Sequence, residues 1–118
     1  MESDLCKIRD ALRAINDFEV AFHARHGIGL NEGMLLCTIA GEKECCSSDV
    51  ADKLGLSASN ASKVLASAEK KGLVKRALCS ADKRRMLFVL TTTGKQLLTS
   101  VKGDAEGISD VMEKLKSL

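Results

Sequence analysis

SSDVADKLGLSASNASKVLASAEKKGLVKR, residues 47–76, holds two short amphipathic segments separated only by Gly55-Leu56-Ser57. Ser47 can cap the first, whose inner face is Val50, Ala51 and Leu54 before Gly55 closes it. Ser57 can cap the second, whose inner positions are Ala61, Val64, Leu65 and Ala68, with Gly72 and then Leu73 as its C-terminal stop. Two helices joined this tightly must cross steeply, which is the geometry of a helix-turn-helix. The second helix, about residues 58–71, presents Ser59, Asn60, Ser62, Lys63 and Ser67 on its outer face. Short hydrogen-bonding side chains and a cation, kept low by Ala58 and Ala66, suit a helix that enters a major groove only ~12 Å wide. The same face would also suit an ordinary Ser/Ala-rich surface helix, so its setting in the chain has to decide.

Downstream the period changes. Leu73–Cys79 and Arg84–Leu90 read as extended segments about a polar turn, Ser80-Ala81-Asp82-Lys83, and together form a β-hairpin. Residues 63–85 carry eight Lys or Arg against Glu69 and Asp82, a net +6 in a chain whose total is +2, so the remainder carries −4. A basic segment on a mildly acidic body is the footprint of a polyanion binder, although a solvated lysine-rich face gives the same count.

Upstream, Leu5, Ile8, Leu12, Ile15, Phe18 and Phe22 make one apolar stripe on a helix from about Asp4 to Arg25, capped by Ser3 and stopped by Gly27 and Gly29. A second helix follows, with Asn31 as the expected cap, Met34, Leu35 and Ile39 inside, and Gly41 at its end. The chain closes with a helix from Thr91–Thr93 whose apolar positions run through Leu98, Val101, Ile108 and Leu115, with a bend expected near Gly103–Gly107. The fold class is mainly α with a small β-hairpin (α+β), a winged helix-turn-helix. A length of 118 residues is room for one domain, residues 1–118.

Composition narrows the function. Leu, Ile, Val and Phe make up 31 of 118 residues at a net charge of +2, which argues against disorder. No apolar run approaches a membrane span of roughly 18 residues, and the N-terminus lacks a signal-peptide core, so a cytoplasmic protein without a membrane partner is expected. There is no Trp or Tyr and only three Phe, which removes the stacking platforms of single-strand binders and leaves duplex DNA open. Five cysteines in a chain without an export signal read as reduced thiols. His23 and His26 alone do not make a metal site, and no cofactor is expected. No phosphate-cradling Gly-rich loop, Gly-x-Ser-x-Gly or acid–base pair points to an enzyme.

Residues 47–76, followed by DKRRMLFVLTTTGKQLL at 82–98, resemble the DNA-binding core of MarR-type winged-helix transcriptional regulators. Three segments carry the likeness: Glu69-Lys70-Lys71-Gly72-Leu73-Val74-Lys75-Arg76, then Asp82-Lys83-Arg84, then Leu90-Thr91-x-x-Gly94-x-x-Leu97. The resemblance implies a homodimer on a roughly palindromic duplex site, with residues 1–26 and 91–118 as flanking dimerisation helices. It places the helix from Ser57 in the major groove and the wing, about residues 79–85, on the backbone or minor groove through Lys83, Arg84 and Arg85. Asp82 would hold the wing in shape, a small-molecule effector would sit between the DNA-binding lobes and the dimerising helices, and repression is expected ahead of activation. Two other readings stay open. One is a thiol redox sensor on the same fold using Cys6, near the start of the first helix, in a chain lacking the Tyr that such relatives pair with it. The other is a winged-helix protein-interaction module without DNA binding, favoured if acidic neighbours neutralise the basic segment.

Overall fold

A computed structural model describes residues 3–79, 81, 82 and 84–118. The elements are α1 (Asp4–His26), α2 (Leu30–Gly41), α3 (Ser47–Leu54), α4 (Ala58–Lys70), β1 (Val74–Leu78), β2 (Met86–Leu90), α5 (Thr92–Lys102) and α6 (Ala105–Lys116). The body is elongated, 57 × 26 × 21 Å. No described helix is long and apolar enough to cross a membrane.

Local chemistry explains most boundaries. Ser3 accepts the Cys6 amide at the start of α1, and Gly27, at φ 74°, ends the helix in the left-handed region. The α3–α4 turn closes through Gly55 at φ 66° and a hydrogen bond from the Leu56 amide to the Ala51 carbonyl, 2.9 Å. Ser57 caps α4 by accepting the Asn60 amide at 3.1 Å. The Leu73 amide returns to the Ala68 carbonyl beyond Gly72, sealing the other end of α4.

Two expected caps are corrected. Asn31 lies inside α2, which starts at Leu30 with Gly29 as its cap; the Glu32 carboxylate accepts the Gly29 amide at 3.1 Å. Likewise Ser47 is the first residue of α3, and the cap is Cys46, whose amide is taken by Asp49 Oδ2 at 2.9 Å. In both cases a carboxylate three residues on accepts the amide of the capping residue itself, the reciprocal half of a capping box.

The core is built by α2, α3, α4, the strands and α5 around Leu35, Leu36, Val50, Leu65, Phe88 and Leu98, with Phe22 of α1 and Ile28 of the α1–α2 connection closing it. Met34, expected inside, is 38% exposed, and Leu36 takes its place. Gly33 lets the Phe22 ring lie against α2, since a Cβ there would come within 2.6 Å of Phe22 Cζ. The strands pair antiparallel from Val74↔Leu90 to Leu78↔Met86, shorter than the expected extended segments. The Phe88 amide also donates to the Cys45 carbonyl, 2.8 Å, which brings the α2–α3 connection alongside β2.

The strand-to-helix junction accounts for the Leu-Thr-x-x-Gly motif. The Thr91 hydroxyl donates to the Gly72 carbonyl at 2.6 Å and accepts the Gly94 amide at 3.0 Å, while the Thr91 amide donates to the Leu73 carbonyl at 3.0 Å. This ties α5 to the end of α4, and only a residue without Cβ fits at position 94 against the Leu73 backbone.

At the far end the expected closing helix is two helices, broken at Gly103-Asp104. Asp104 holds the break against α1, bonded to Arg25 Nη1 at 2.9 Å and to His26 Nε2 at 3.3 Å. Gly107 leaves room for the Arg25 guanidinium there. Of the α1 stripe, only Phe22 is buried and Phe18 partly so. Leu5, Ile8, Leu12 and Ile15 stay exposed, and Ile108 and Met112 of α6 are exposed as well.

Candidate nucleic-acid interface

Helix α4 shows its two faces cleanly. Ala61, Leu65 and Ala68 are buried, whereas Ala58, Ser59, Asn60, Ser62, Lys63 and Ala66 are exposed. The outer surface is therefore low and polar over the first two turns, with hydrogen-bonding groups and one ammonium. The free amides of the first turn also give this end a partial positive charge.

Ser67 departs from that face. It is half-buried, and its hydroxyl donates to Glu32 Oε2 at 3.1 Å. Lys71, one turn on, donates to Glu32 Oε1 at 2.8 Å. Burial pushes the Glu32 carboxyl up, but Lys71, the Gly29 amide and Ser67 together outweigh it and hold the group below the usual range. Sequence reasoning passed over Glu32 because an acid in the first turn of a helix ordinarily faces solvent.

At the wing, Asp82 Oδ1 accepts the Arg84 amide at 3.0 Å, and the Asp82 carbonyl accepts the Arg85 amide at 3.0 Å. This short local network shapes the turn around Asp82. The Arg84 side chain is 94% exposed, with only a loose contact of 3.5 Å to Asp82. Lys83 lies outside the described residues. Arg85, expected on the DNA side, is exposed and reaches back to the start of α3, lying 3.6 Å from Asp49, 3.8 Å from Glu44 and 3.7 Å from Cys46 Sγ. The carboxylates of Asp49 and of Glu44, just before α3, attract the guanidinium to this helix start.

Pairing thins the basic segment. Lys71 meets Glu32, Arg76 meets Glu69 at 3.1 Å while lying over the Phe88 ring, and Arg85 meets Asp49 and Glu44. Among the described residues, Lys63, Lys70 and Lys75 make no ion pair, and Arg84 makes only the screened one. The cations left to solvent thus lie on α4, at the root of β1 and at the tip of the wing.

The cysteines separate by environment. Cys6 is half-buried, and Ser3 Oγ donates to its sulfur at 3.4 Å. Cys46 was not singled out from the sequence, yet its hydrogen bond with Ser48 holds its thiol below the ordinary value against the opposing effect of burial, with Arg85 adding to the lowering. Its neighbour Cys45 is pushed up to about 11 by burial, with Asp49 contributing. Between α1 and α6, Phe18, Arg25, Asp104 and Lys114 help to line an open cleft of about 740 Å³.

Two short packed helices joined through Gly55-Leu56-Ser57, a polar outward helix face and a hairpin tip carrying an exposed arginine define a winged helix-turn-helix protein. Residues 26–85 match the model of the MarR family, and the chain belongs to that family. No curated protein matches it. Among solved structures it is similar to the transcriptional regulator PA4135, at 24% identity over 97% of this chain and 85% of that one, TM-score 0.77. It is also similar to a MarR/EmrR family transcriptional regulator from Acinetobacter sp. ADP1, at 22% identity over 86% and 72%, TM-score 0.77. A third similar structure is that of MepR from S. aureus, solved as a complex with DNA, at 19% identity over 99% and 85%, TM-score 0.82. At these identities the likeness is one of fold.

Proposed function

We propose that the chain is a transcriptional regulator that reads double-stranded DNA as a homodimer, with repression the expected outcome and a small-molecule effector an added level of control. Residues 1–118 would act as one domain, with 1–26 and 91–118 supplying the dimer contact. The observation that carries the reading is the exposed Ser59, Asn60, Ser62 and Lys63 face on the second helix of the pair, beside a wing whose Arg84 projects into solvent. Membership of the MarR family supports it, as does the likeness to MepR, which was solved on DNA.

The roles divide by chemistry. Asn60 can pair with a base edge through its amide, Ser59 and Ser62 can donate or accept, and Lys63 can meet a guanine or a phosphate. Arg84, with Lys83, reaches the backbone or a narrow minor groove, where long cationic side chains are drawn by the concentrated negative potential. Asp82 keeps the turn in the shape that points Arg84 outward. Ser67 and Arg85 would contribute through the packing of α4 and of the wing base, given their partners.

Base-reading and backbone-holding residues should fail differently. Arg84→Ala is expected to weaken binding on every duplex and, if it meets phosphate, to lower the salt slope by about one unit for each phosphate it no longer neutralises. Asn60→Ala should cost roughly 1–3 kcal/mol, mainly on the preferred site. Affinity measured against salt, on specific and random duplexes, separates the two. If Arg84→Ala binds every duplex as the wild type does, the wing does not touch DNA.

A further inference from the structure

We propose that Glu32 is a positioning residue for DNA reading: its carboxylate, anchored at the joint between α1 and α2, sets the position and rotation of the recognition helix α4. The inference rests on the proposed DNA-binding function.

Glu32 is 8% exposed, and its two oxygens meet three donors from two parts of the fold. Oε1 takes the Gly29 amide at 3.1 Å and Lys71 Nζ at 2.8 Å; Oε2 takes Ser67 Oγ at 3.1 Å. Gly29 is the N-cap of α2, and Ser67 and Lys71 lie one turn apart at the C-terminal end of α4. The carboxylate thus joins the start of α2, where it is held by its own helix cap, to the helix that carries the polar outward face.

Cohesion alone does not call for such a group. Burying the carboxylate costs solvation, and an ion pair to a lysine that is itself 41% exposed returns little stability. Direction is what it adds. The buried face of α4 is made of Ala61, Leu65 and Ala68, two of which are methyl groups only, and apolar contacts of that kind do not resist sliding or rotation strongly. The two hydrogen bonds from Ser67 and Lys71 to a carboxylate itself fixed by the Gly29 amide do.

The helical spacing then connects this anchor to the reading face. Ser59, Lys63, Ser67 and Lys71 follow one another at intervals of four residues, so they form one continuous row along α4. Its first half faces outward and its second half holds Glu32. A rotation that carried Ser67 and Lys71 off the carboxylate would carry Ser59 and Lys63 with them. Base contacts tolerate displacement of only a fraction of an ångström, so the link acts on specificity more than on general attraction to DNA.

The test compares Glu32→Gln, Lys71→Gln and the double variant on the duplex recovered by selection with wild-type protein, and on a random duplex of equal length. Far-UV circular dichroism and light scattering confirm that each variant is folded and of wild-type size. Each single variant is expected to lose roughly tenfold on the specific duplex, with a smaller loss on the random one. The double variant should lose no more than either single, and Lys71→Arg should keep the wild-type preference. If Glu32→Gln does not fold, Ser67→Ala and Lys71→Gln carry the same comparison. A folded variant that retains the wild-type ratio of specific to random affinity overturns the proposal. So does a Lys71→Gln loss equal on both duplexes with Glu32→Gln unaffected, since Lys71 would then be an ordinary phosphate contact. Failure of the DNA-binding function itself shows separately, as wild-type protein that does not discriminate between duplexes.

Discussion

Ile8→Glu is expected to convert the protein to monomers and to lower affinity for a full DNA site by about 100-fold or more. Ile8 is 56% exposed on the protomer, in line with Leu5 at 75% and Leu12 at 59% on α1. Ile108 and Met112 on α6, the helix packed against α1, add to the uncovered apolar surface. Burying such side chains against a second copy is worth roughly 1.5–3 kcal/mol each when complete. In a two-fold interface every substitution occurs twice, so a glutamate at position 8 would place two charges into it. Because the side chain is exposed in the protomer, the variant should keep its helix content and thermal transition while losing the dimer. Light scattering at tens of micromolar, well above the ~1 μM scale of a moderate affinity, reads the first effect. Binding to a full and a half site reads the second. Wild-type size for Ile8→Glu would move the dimer contact elsewhere.

Gly94→Ala is expected to destabilise the fold by about 3 kcal/mol or more, at or beyond the upper end of ordinary overpacking. A methyl group at position 94 would overlap the Leu73 carbonyl oxygen, and a backbone atom cannot turn away as a side chain could. Relief would require α5 to move off the end of α4, breaking the Thr91 bonds to Gly72, Leu73 and Gly94. Gly41→Ala is the control: a Cβ there meets nothing within 4 Å, and the change should be neutral or stabilising by up to ~1 kcal/mol. Urea unfolding of both variants decides the matter. Equal midpoints would mean that the α4–α5 junction yields easily and does not require a glycine.

What could be read in advance follows the range of the interactions. The stops and starts of α1 and α4 were legible because Ser3, Gly27, Ser57 and Gly72 act within a turn of their own position. The break after α5 was legible for the same reason, from the glycines around Asp104. Periodicity likewise showed the stripe from Leu5 to Phe22. It is more apolar surface than one small core can cover, and Leu5, Ile8, Leu12 and Ile15 are exposed, although spacing alone does not tell them from the buried Phe22.

The misreadings involve carboxylates and long-range partners. Glu32 and Asp49 take over the caps expected of Asn31 and Ser47, and each also recruits a residue expected on the DNA side. Ser67 is drawn to Glu32 across 35 positions of sequence, and Arg85 to Asp49 where the wing base meets α3. No local pattern encodes such partners; Arg85 nevertheless stays 42% exposed, so its contact with Asp49 leaves its expected place on the surface unchanged. The face of Ser59, Asn60, Ser62 and Lys63 could be read because α4 is short, regular and capped at both ends.

The most direct test of the proposed DNA-reading dimer is selection from fragments of its own genome by the purified wild-type protein, followed by affinity measurement of the recovered duplexes against salt. The expected result is enrichment of short duplexes sharing a two-fold symmetric sequence, with half-sites about one helical turn apart, and affinity that falls steeply as salt rises. No enrichment, together with no binding to any duplex at low salt, would contradict the reading and leave a winged-helix domain whose partner is another protein.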